Sequence, residues 1–402
     1  MEYDSGARTT TRTRWRYRET VLALSTLAFF GTMAGRVAIS PVVPQLTANF
    51  GVSNATIGLA LSGMWMAYFL SQYPSGVLAD RYGERPIILV SLGGTAIACL
   101  FLALAPSFAV FVGATVVLGA VAGLHYSVAT TLLIKTYAEI GTAIGVHNSG
   151  GPAAGLVAPP VAAWISVRYG WRPAVAVGAV IALPIFYLFA RRVRPTPPAR
   201  PDQPMRERLD LEPAAELLTR PTIAFPICLA VAGAFVWQAT ASFLPTFLVE
   251  YRGQSTPFAG AVFAAYFVVQ TVTQVGVGAI SDRFGRDVAT AGCMVLAATG
   301  FGLLIAVPGI VAIATAVVLL GIGLGWGAAL LPRFIDALSS VERGVGFGLI
   351  RTVYGIVGAT GSAGTGLVAD LAGWGVAFAV LAALLALVVV ALAGNWALGL
   401  EY

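Results

Sequence analysis

GVLADRYGER at residues 76–85 and GAISDRFGRD at residues 278–287 are two copies of one motif, 202 positions apart. The first copy presents Gly76, Asp80, Arg81, Gly83 and Arg85; the second presents Gly278, Asp282, Arg283, Gly285 and Arg286. A second pair of segments repeats at almost the same spacing. GTAIGVHNSGGPAAGLVAPPVAAWISVRYGW (141–171) aligns with GVGFGLIRTVYGIVGATGSAGTGLVADLAGW (344–374) at an offset of 203, so that Gly145 meets Gly348, Gly170 meets Gly373 and Trp171 meets Trp374. Two motifs at a nearly constant offset mark a chain built by duplication.

The surroundings of these motifs are apolar. Of the 402 residues 58% are hydrophobic and 10% charged, and mean hydropathy is +0.83. Soluble domains carry about 25% charged residues, so the composition excludes a soluble enzyme, a disordered chain and a coiled coil. A membrane-spanning helix needs about 20 mostly apolar residues. Twelve such stretches can be read, at 20–43, 55–76, 87–105, 108–133, 143–167, 173–190, 223–249, 257–280, 288–307, 309–331, 345–369 and 374–393. The first is too long for the apolar core of a signal peptide and no A-x-A site follows it, so it is expected to remain as an anchor.

Arginine counting orients the chain. With the N-terminus inside, nineteen of the 24 basic residues fall in inside segments, among them Arg81, Arg85, Lys135, Arg283, Arg286, Arg333 and Arg343. Only Arg168, Arg172 and Arg252 fall outside, while Arg36 and Arg351 lie within spans. Both termini are therefore expected in the cytosol and the protein in the cytoplasmic membrane. The bias also accounts for the net charge of +6, so no nucleic-acid partner is required.

The expected organisation is an all-α integral membrane protein of twelve transmembrane helices in two pseudo-symmetric six-helix bundles. A cytosolic tail (1–19) precedes the first bundle (20–190). A polar, Pro-rich central loop (191–222) separates it from the second bundle (223–393), and a short cytosolic tail (394–402) follows. Within the loop, LDLEPAAELL reads as a short helix lying at the membrane surface. Repeated six-span halves place a substrate site near the midplane between them.

With twelve spans, a central loop and the paired motif G-x-x-x-D-R-x-G-x-R, the chain resembles the major facilitator superfamily over its whole length. The resemblance implies two bundles that rock to give alternating access. The residues of the two motif copies support a role as a cytosolic gate, since an Asp at a helix end beside Arg can pair across the face and the glycines allow close helix approach; the alternative is that their arginines are topology signals alone. Two patterns of the family's drug–proton exchangers are degenerate here. The Gly-rich fifth-span motif finds Ala154, Ala158, Ala162 and Ala163 where glycines are usual, and the fourth-span Arg position is Thr115.

Charges inside the spans carry the functional reading. A cation at the bilayer centre costs at least about 2.5–3.5 kcal/mol, so Arg36 and Arg351 are expected to face a cavity or a partner. All 18 acidic residues fall in loops, tails or span ends, which leaves Arg36 no internal counter-ion. An unpaired cavity arginine offers a planar fork to a carboxylate or phosphate. Two alternatives stand beside this reading: Arg36 snorkels to the outer interface, or Arg351 pairs with Glu342 or Asp336. His125 and His147, the only histidines, are the candidates for proton coupling near neutral pH. Asn148 is the repeat partner of Arg351. Tyr126, Trp237, Gln238, Tyr266, Gln270, Gln274, Trp326 and Tyr354 are further polar or aromatic candidates within the spans.

The substrate-binding set is thus Arg36, Arg351, His125, His147 and Asn148. The function expected is secondary active transport of a small organic or phosphorylated anion, by symport or exchange, in the lipid bilayer and as a monomer, with the proton as candidate coupling ion. A proton-driven multidrug efflux antiporter is the alternative, although it wants a membrane-embedded carboxylate. Enzyme activity is not expected: there is no H-E-x-x-H, no G-x-S-x-G with partners and no nucleotide loop. Cys99, Cys228 and Cys293 are scattered in apolar runs and make neither a disulfide framework nor a metal site. No cofactor or metal is expected.

Overall fold

The computed structural model describes residues 17–137, 140–198, 201, 212–339 and 343–400. Most of the N-terminal tail, part of the central loop and Glu342 lie outside these residues. Eighteen α-helices and one 3₁₀ turn make up the described structure, which contains no strand. The first half comprises α1 (Tyr17–Val37), the 3₁₀ turn Ser40–Val42, α2 (Val43–Phe50), α3 (Asn54–Tyr82), α4 (Glu84–Leu104), α5 (Phe108–Gly123), α6 (His125–Thr136), α7 (Ile140–Asn148), α8 (Gly150–Tyr169) and α9 (Trp171–Arg192). The short α10 (Glu212–Thr219) follows. The second half comprises α11 (Pro221–Glu250), α12 (Thr256–Phe284), α13 (Arg286–Ala306), α14 (Ile310–Gly323), α15 (Gly327–Ala337), α16 (Arg343–Ala359), α17 (Gly361–Ala372) and α18 (Trp374–Ala397).

Ten helical segments among the described residues are long and apolar enough to cross a membrane by length and composition. The helix α3 and the pair α16–α17, which occupy the places of the second and eleventh spans, fall outside that count. The short helix in the central loop is present as α10, and its Leu217 is buried beside Gly346 and Leu338 of the second half.

Several span limits differ from the sequence reading, each for a local reason. Pro41 and Pro44 have no N–H to donate, and the first span breaks into the 3₁₀ turn and α2 before ending at Gly51, which is left-handed at φ 61°. The second and eighth spans run on to Tyr82 and Phe284, so Gly76–Arg81 and Gly278–Arg283 are helical rather than loop. The turn itself is one residue: Gly83 (φ 86°) and Gly285 (φ 98°) cap one helix and start the next, a conformation that glycine adopts without steric cost. The fourth and tenth spans break at Leu124 and around Leu324–Trp326, 200 positions apart, while the fifth and eleventh break at Ser149 and Thr360.

The halves meet mainly through α3 against α16 and α17, through α8 against α12, and through the segment 40–50 against α11. Their closest approach lies at the end of the bundle opposite the paired motif. There the packing is backbone against backbone: a Cβ on Gly58 would stand 2.4 Å from the Ser362 carbonyl oxygen, and one on Gly366 would stand 2.2 Å from that of Asn54. The hydrogen bonds between halves gather at the same end. Ser40 donates to the Ser242 carbonyl (2.8 Å), and the Ala363 N–H donates to Ser62 Oγ (2.9 Å). The Asp370 carboxylate accepts from the Asn54 and Ala55 N–H groups at 3.0 and 2.6 Å, capping α3 from across the interface. At the motif end, α6, α7 and α15 pack substantially only within their own halves.

Candidate functional site

A cavity of about 340 Å³ lies between the two halves at mid-depth. Arg36 from α1 and Arg351 from α16 both line it, as does Asn148 at the end of α7. Three of the five residues expected to bind substrate are therefore brought together. No Asp or Glu contributes to the lining among the described residues.

Arg36 is almost wholly buried. Its Nε donates to the Thr32 carbonyl one turn back (3.2 Å), which fixes the stem. The guanidinium lies over Tyr68 (4.0 Å to the ring centroid) and Trp65 (4.7 Å), both from α3. Such faces stabilise a desolvated cation by about 2 kcal/mol, and neither terminal nitrogen has a partner of full hydrogen-bond geometry among the described residues, the Tyr68 side chain being the one polar group that bears on the guanidinium. The side chain does not snorkel to an interface.

Arg351 approaches from the other half and lies over Tyr126 at 4.8 Å. Tyr354, one turn along α16, lines the same wall. Of the carboxylates proposed to pair with Arg351, Asp336 is bonded to Arg286 (3.2 Å), and Glu342 lies outside the described residues. Tyr126 underlies Arg351 and Tyr68 underlies Arg36, and both tyrosines line the cavity. The two guanidinium groups thus flank one aromatic cluster.

His125 and His147 are placed differently from the sequence reading. Neither lines the cavity; both are fully buried behind Phe29, which does line it. Phe29 packs on the two imidazoles with centroid separations of 6.0 and 5.4 Å, and the imidazoles face each other at 5.3 Å. The sequence places both at similar depth, but it does not contain the packing that inserts an aromatic ring between them and the cavity.

Among the further candidates, Tyr126, Trp237, Gln238, Gln270, Gln274, Trp326 and Tyr354 line the cavity, whereas Tyr266 stands behind it and contacts Gln270. Sequence reasoning missed Trp65, Tyr68 and Phe29. The available signal was spacing: Trp65, Tyr68 and Phe69 share one face of α3, the neighbour of the span that carries Arg36.

In the motif copies, the bonds described stay within each half. Arg85 donates to the Ala190 carbonyl (2.6 Å) and its N–H to Thr196 Oγ1 (3.1 Å), tying the first copy to the segment after α9. Gly83 leaves room for the same segment, since a Cβ there would stand 2.3 Å from the Thr196 carbonyl oxygen. Glu84, buried, pairs with Lys135 of α6. In the second copy Arg286 pairs with Asp282 and Asp336, and Asp287 pairs with Arg333 of α15. Glu84 and Asp287, which tie the motif to the fourth and tenth spans, were not singled out in the sequence. Arg81 and Arg283 lie over the neighbouring Tyr82 and Phe284 rings at 5.7 and 5.2 Å.

Comparison with known proteins matches the sequence model of the Major Facilitator Superfamily to residues 25–259 and 228–398. A Cupriavidus necator protein named probable sulfoacetate transporter is 29% identical over 181 residues, 44% of this chain and 42% of that protein. The hexuronate transporter of Bacillus subtilis is 22% identical over 267 residues, 64% of this chain and 63% of its own. The chain thus spans less than two thirds of the length of either relative. Among solved structures, that of a nucleoside transporter superimposes with a TM-score of 0.81 over 94% of this chain and 99% of the other, at 16% identity.

Proposed function

Because the chain belongs to the major facilitator superfamily, we propose that it is a secondary transporter of a small organic or phosphorylated anion, working by alternating access. The observation that carries this reading is Arg36: a buried guanidinium packed on two aromatic faces, its two terminal nitrogens without a hydrogen-bond partner among the described residues, on a residue that lines a cavity to which no described Asp or Glu contributes. A buried donor left unmade is expensive, and an anion in the cavity supplies what is missing. Arg offers the bidentate geometry for a carboxylate or phosphate, while Arg351 on the opposite wall lets closure of the two halves bring a second cation to the same ligand. The sulfoacetate and hexuronate in the relatives' names are small acids, which supports the same class.

Alternation follows from the packing. With the termini cytosolic, the end closed by Gly58, Gly366 and Asp370 is the outer one, and the structure is inward-facing. The motif copies then act at the cytosolic gate. Arg85 and Arg286, bonded within each half here, and their neighbours Arg81 and Arg283 take partners across the face when that end closes, as two-arrangement transitions require. Import or export depends on the gradient that drives the cycle.

The test is a thermal-shift panel on purified wild type, Arg36→Gln and Arg351→Gln with carboxylates, organophosphates, sulfonates, sugars and lipophilic cations. A ligand at 100 times its Kd stabilises by about 2.7 kcal/mol. Anions that stabilise the wild type and neither variant support the proposal. Stabilisation by lipophilic cations in all three proteins overturns it in favour of drug efflux.

A further inference from the structure

The two histidines of this chain are its least satisfied polar groups after Arg36. Each imidazole is fully buried; no ring nitrogen has a partner of full hydrogen-bond geometry among the described residues, and the Ser25 backbone is the group both rings can bond. A neutral imidazole carries one donor and one acceptor, and buried groups of this kind are ordinarily satisfied. Both orphaned rings lie side by side, 5.3 Å apart and inclined at 48°.

Their positions in the fold matter as much as their burial. His125 is the first residue of α6, directly after the break at Leu124, and His147 is the last residue but one of α7, directly before the break at Ser149. The pair therefore joins the two points at which the fourth and fifth spans bend. The half-helices α6 and α7 run from these points to the motif end and pack substantially only on each other and on their own half, with Arg351 over Tyr126 as a contact from the other half. On the cavity side a single ring, Phe29, separates the pair from the space between the arginines.

The ionisable groups on the packed elements are few. From α1 come Arg36, whose charge acts on His125, and, at the motif end, Tyr17, Arg18 and Glu19; from α3 come Tyr68, Tyr73 and, toward the motif, Asp80, Arg81 and Tyr82. From α4 come Glu84, already paired with Lys135 of α6, Arg85, bonded to the Ala190 carbonyl at the end of α9, and the buried Cys99; α6 itself adds Tyr126, tilted 6.0 Å from His147 and covered from the other half by Arg351. Neither α5 nor the adjoining part of α8 has any. The Ser25 carbonyl is within hydrogen-bonding reach of both rings, so the pair competes for one backbone acceptor.

We propose that His125 and His147 form one proton-binding site, holding a single proton shared between the two imidazoles, and that occupancy of this site and of the anion site is mutually favourable. The electrostatics give the sign. Arg36 opposes a positive charge on His125, and an anion over Arg36 cancels that opposition. A bound proton likewise favours the anion, because linkage is reciprocal. The transporter thus moves anion and proton together. The shared proton draws the ends of α6 and α7 into one bonded unit, and its loss frees them to bend separately. No bond beyond N–H is made or broken; the proton enters from and returns to water. This inference rests on the anion reading of the cavity, but the two fail separately.

Two histidines in 402 residues make the test direct, provided the purification tag lacks histidine. Protein labelled with ¹³C and ¹⁵N in histidine is titrated by NMR from pH 4 to 9, without ligand and with sulfoacetate, while thermal shift on wild type and Arg36→Gln reports independently whether sulfoacetate binds. Both rings are expected to shift together in one step worth one proton, at higher pH when sulfoacetate is bound. Its affinity is expected to tighten by up to about tenfold per pH unit on acidification, and by less than twofold in His125→Gln or His147→Gln. Two independent one-proton steps, or no protonation while sulfoacetate binding depends on Arg36, overturns the proton site and leaves the anion reading standing. Should sulfoacetate and the wider anion panel fail to bind the wild type, the anion reading falls. The ligand-free titration then decides the pair alone: one shared proton supports it and none refutes it.

Discussion

Replacing Gly58 by Ala adds one methyl group at the place where the two halves touch most closely. In the closed arrangement that methyl carbon would stand 2.4 Å from the Ser362 carbonyl oxygen and 3.2 Å from the Ala363 Cα. Both neighbours are backbone, so no rotamer change relieves the clash, and α3 and α17 must separate by several tenths of an ångström at least. Overpacking of this kind costs about 1–3 kcal/mol. The cost falls on the arrangement shown here and is absent when that end opens. The equilibrium between the two therefore moves by about 5- to 150-fold toward the open end. Gly366→Ala, whose methyl would meet the Asn54 carbonyl oxygen at 2.2 Å, acts on the same contact in the same direction. The assay is a distance measurement between spin labels at Leu59 and Leu371, both exposed near this end, in a background without Cys99, Cys228 and Cys293. Gly113→Ala is the control, because nothing lies within 4 Å of its added methyl. Gly58→Ala is expected to populate a longer distance and Gly113→Ala to leave the distribution as in the parent. An unchanged distribution in both Gly58→Ala and Gly366→Ala would refute the assignment of this interface as the closed gate.

Three other outcomes follow from single contacts. Asp370→Asn removes the charge that caps α3 across the interface; at an exposed helix N-terminus this is worth about 1 kcal/mol, so the same label pair should show a roughly fivefold shift of the equilibrium toward the open end, and the difference from wild type should shrink in high salt. Lys135→Ala leaves Glu84 buried without its cation and is expected to destabilise by about 3 kcal/mol; adding Glu84→Gln should restore part of the thermal stability, and a double variant no better than the single one would contradict the pairing. Tyr68→Leu removes the aromatic face 4.0 Å from Arg36, a contribution of about 2 kcal/mol to holding that cation in place; anion affinity is expected to fall about tenfold or more with folding preserved, and an unchanged affinity would show that Arg36 is not held by the ring.

How far the sequence reached differs between fold and site. The doubled motif and the apolar runs were legible because a bilayer admits little but helices of a minimum length, and because duplication leaves a constant offset. Arg36 and Arg351 were legible for a similar reason: a charge in an apolar span stands out, and its cost requires a purpose. Helix ends were less legible. The motif reads as a loop since it is charged, yet Gly76–Arg81 and Gly278–Arg283 are helical, and only Gly83 and Gly285 turn the chain.

The aromatic face of α3 could be read from its spacing, but its contact with Arg36 and the fate of the histidines could not. Trp65 and Tyr68 belong to α3, and their contact with Arg36 depends on how α3 rotates against α1; nothing in either helix alone states that angle. His125 and His147 share a depth that can be counted along the spans, but whether they face the cavity depends on Phe29 packing between them and it. The same holds for the closed end, where Gly58 and Asp370 acquire meaning only from residues some 300 positions away in the chain. Composition, periodicity and repeat spacing are local or one-dimensional, and they determined the membrane fold, its two halves and the charges that demand a partner. Which side chains meet across the halves, and which end is shut, was decided only by tertiary packing, because side-chain contacts between helices depend on rotations and offsets that hydrophobic pattern leaves free.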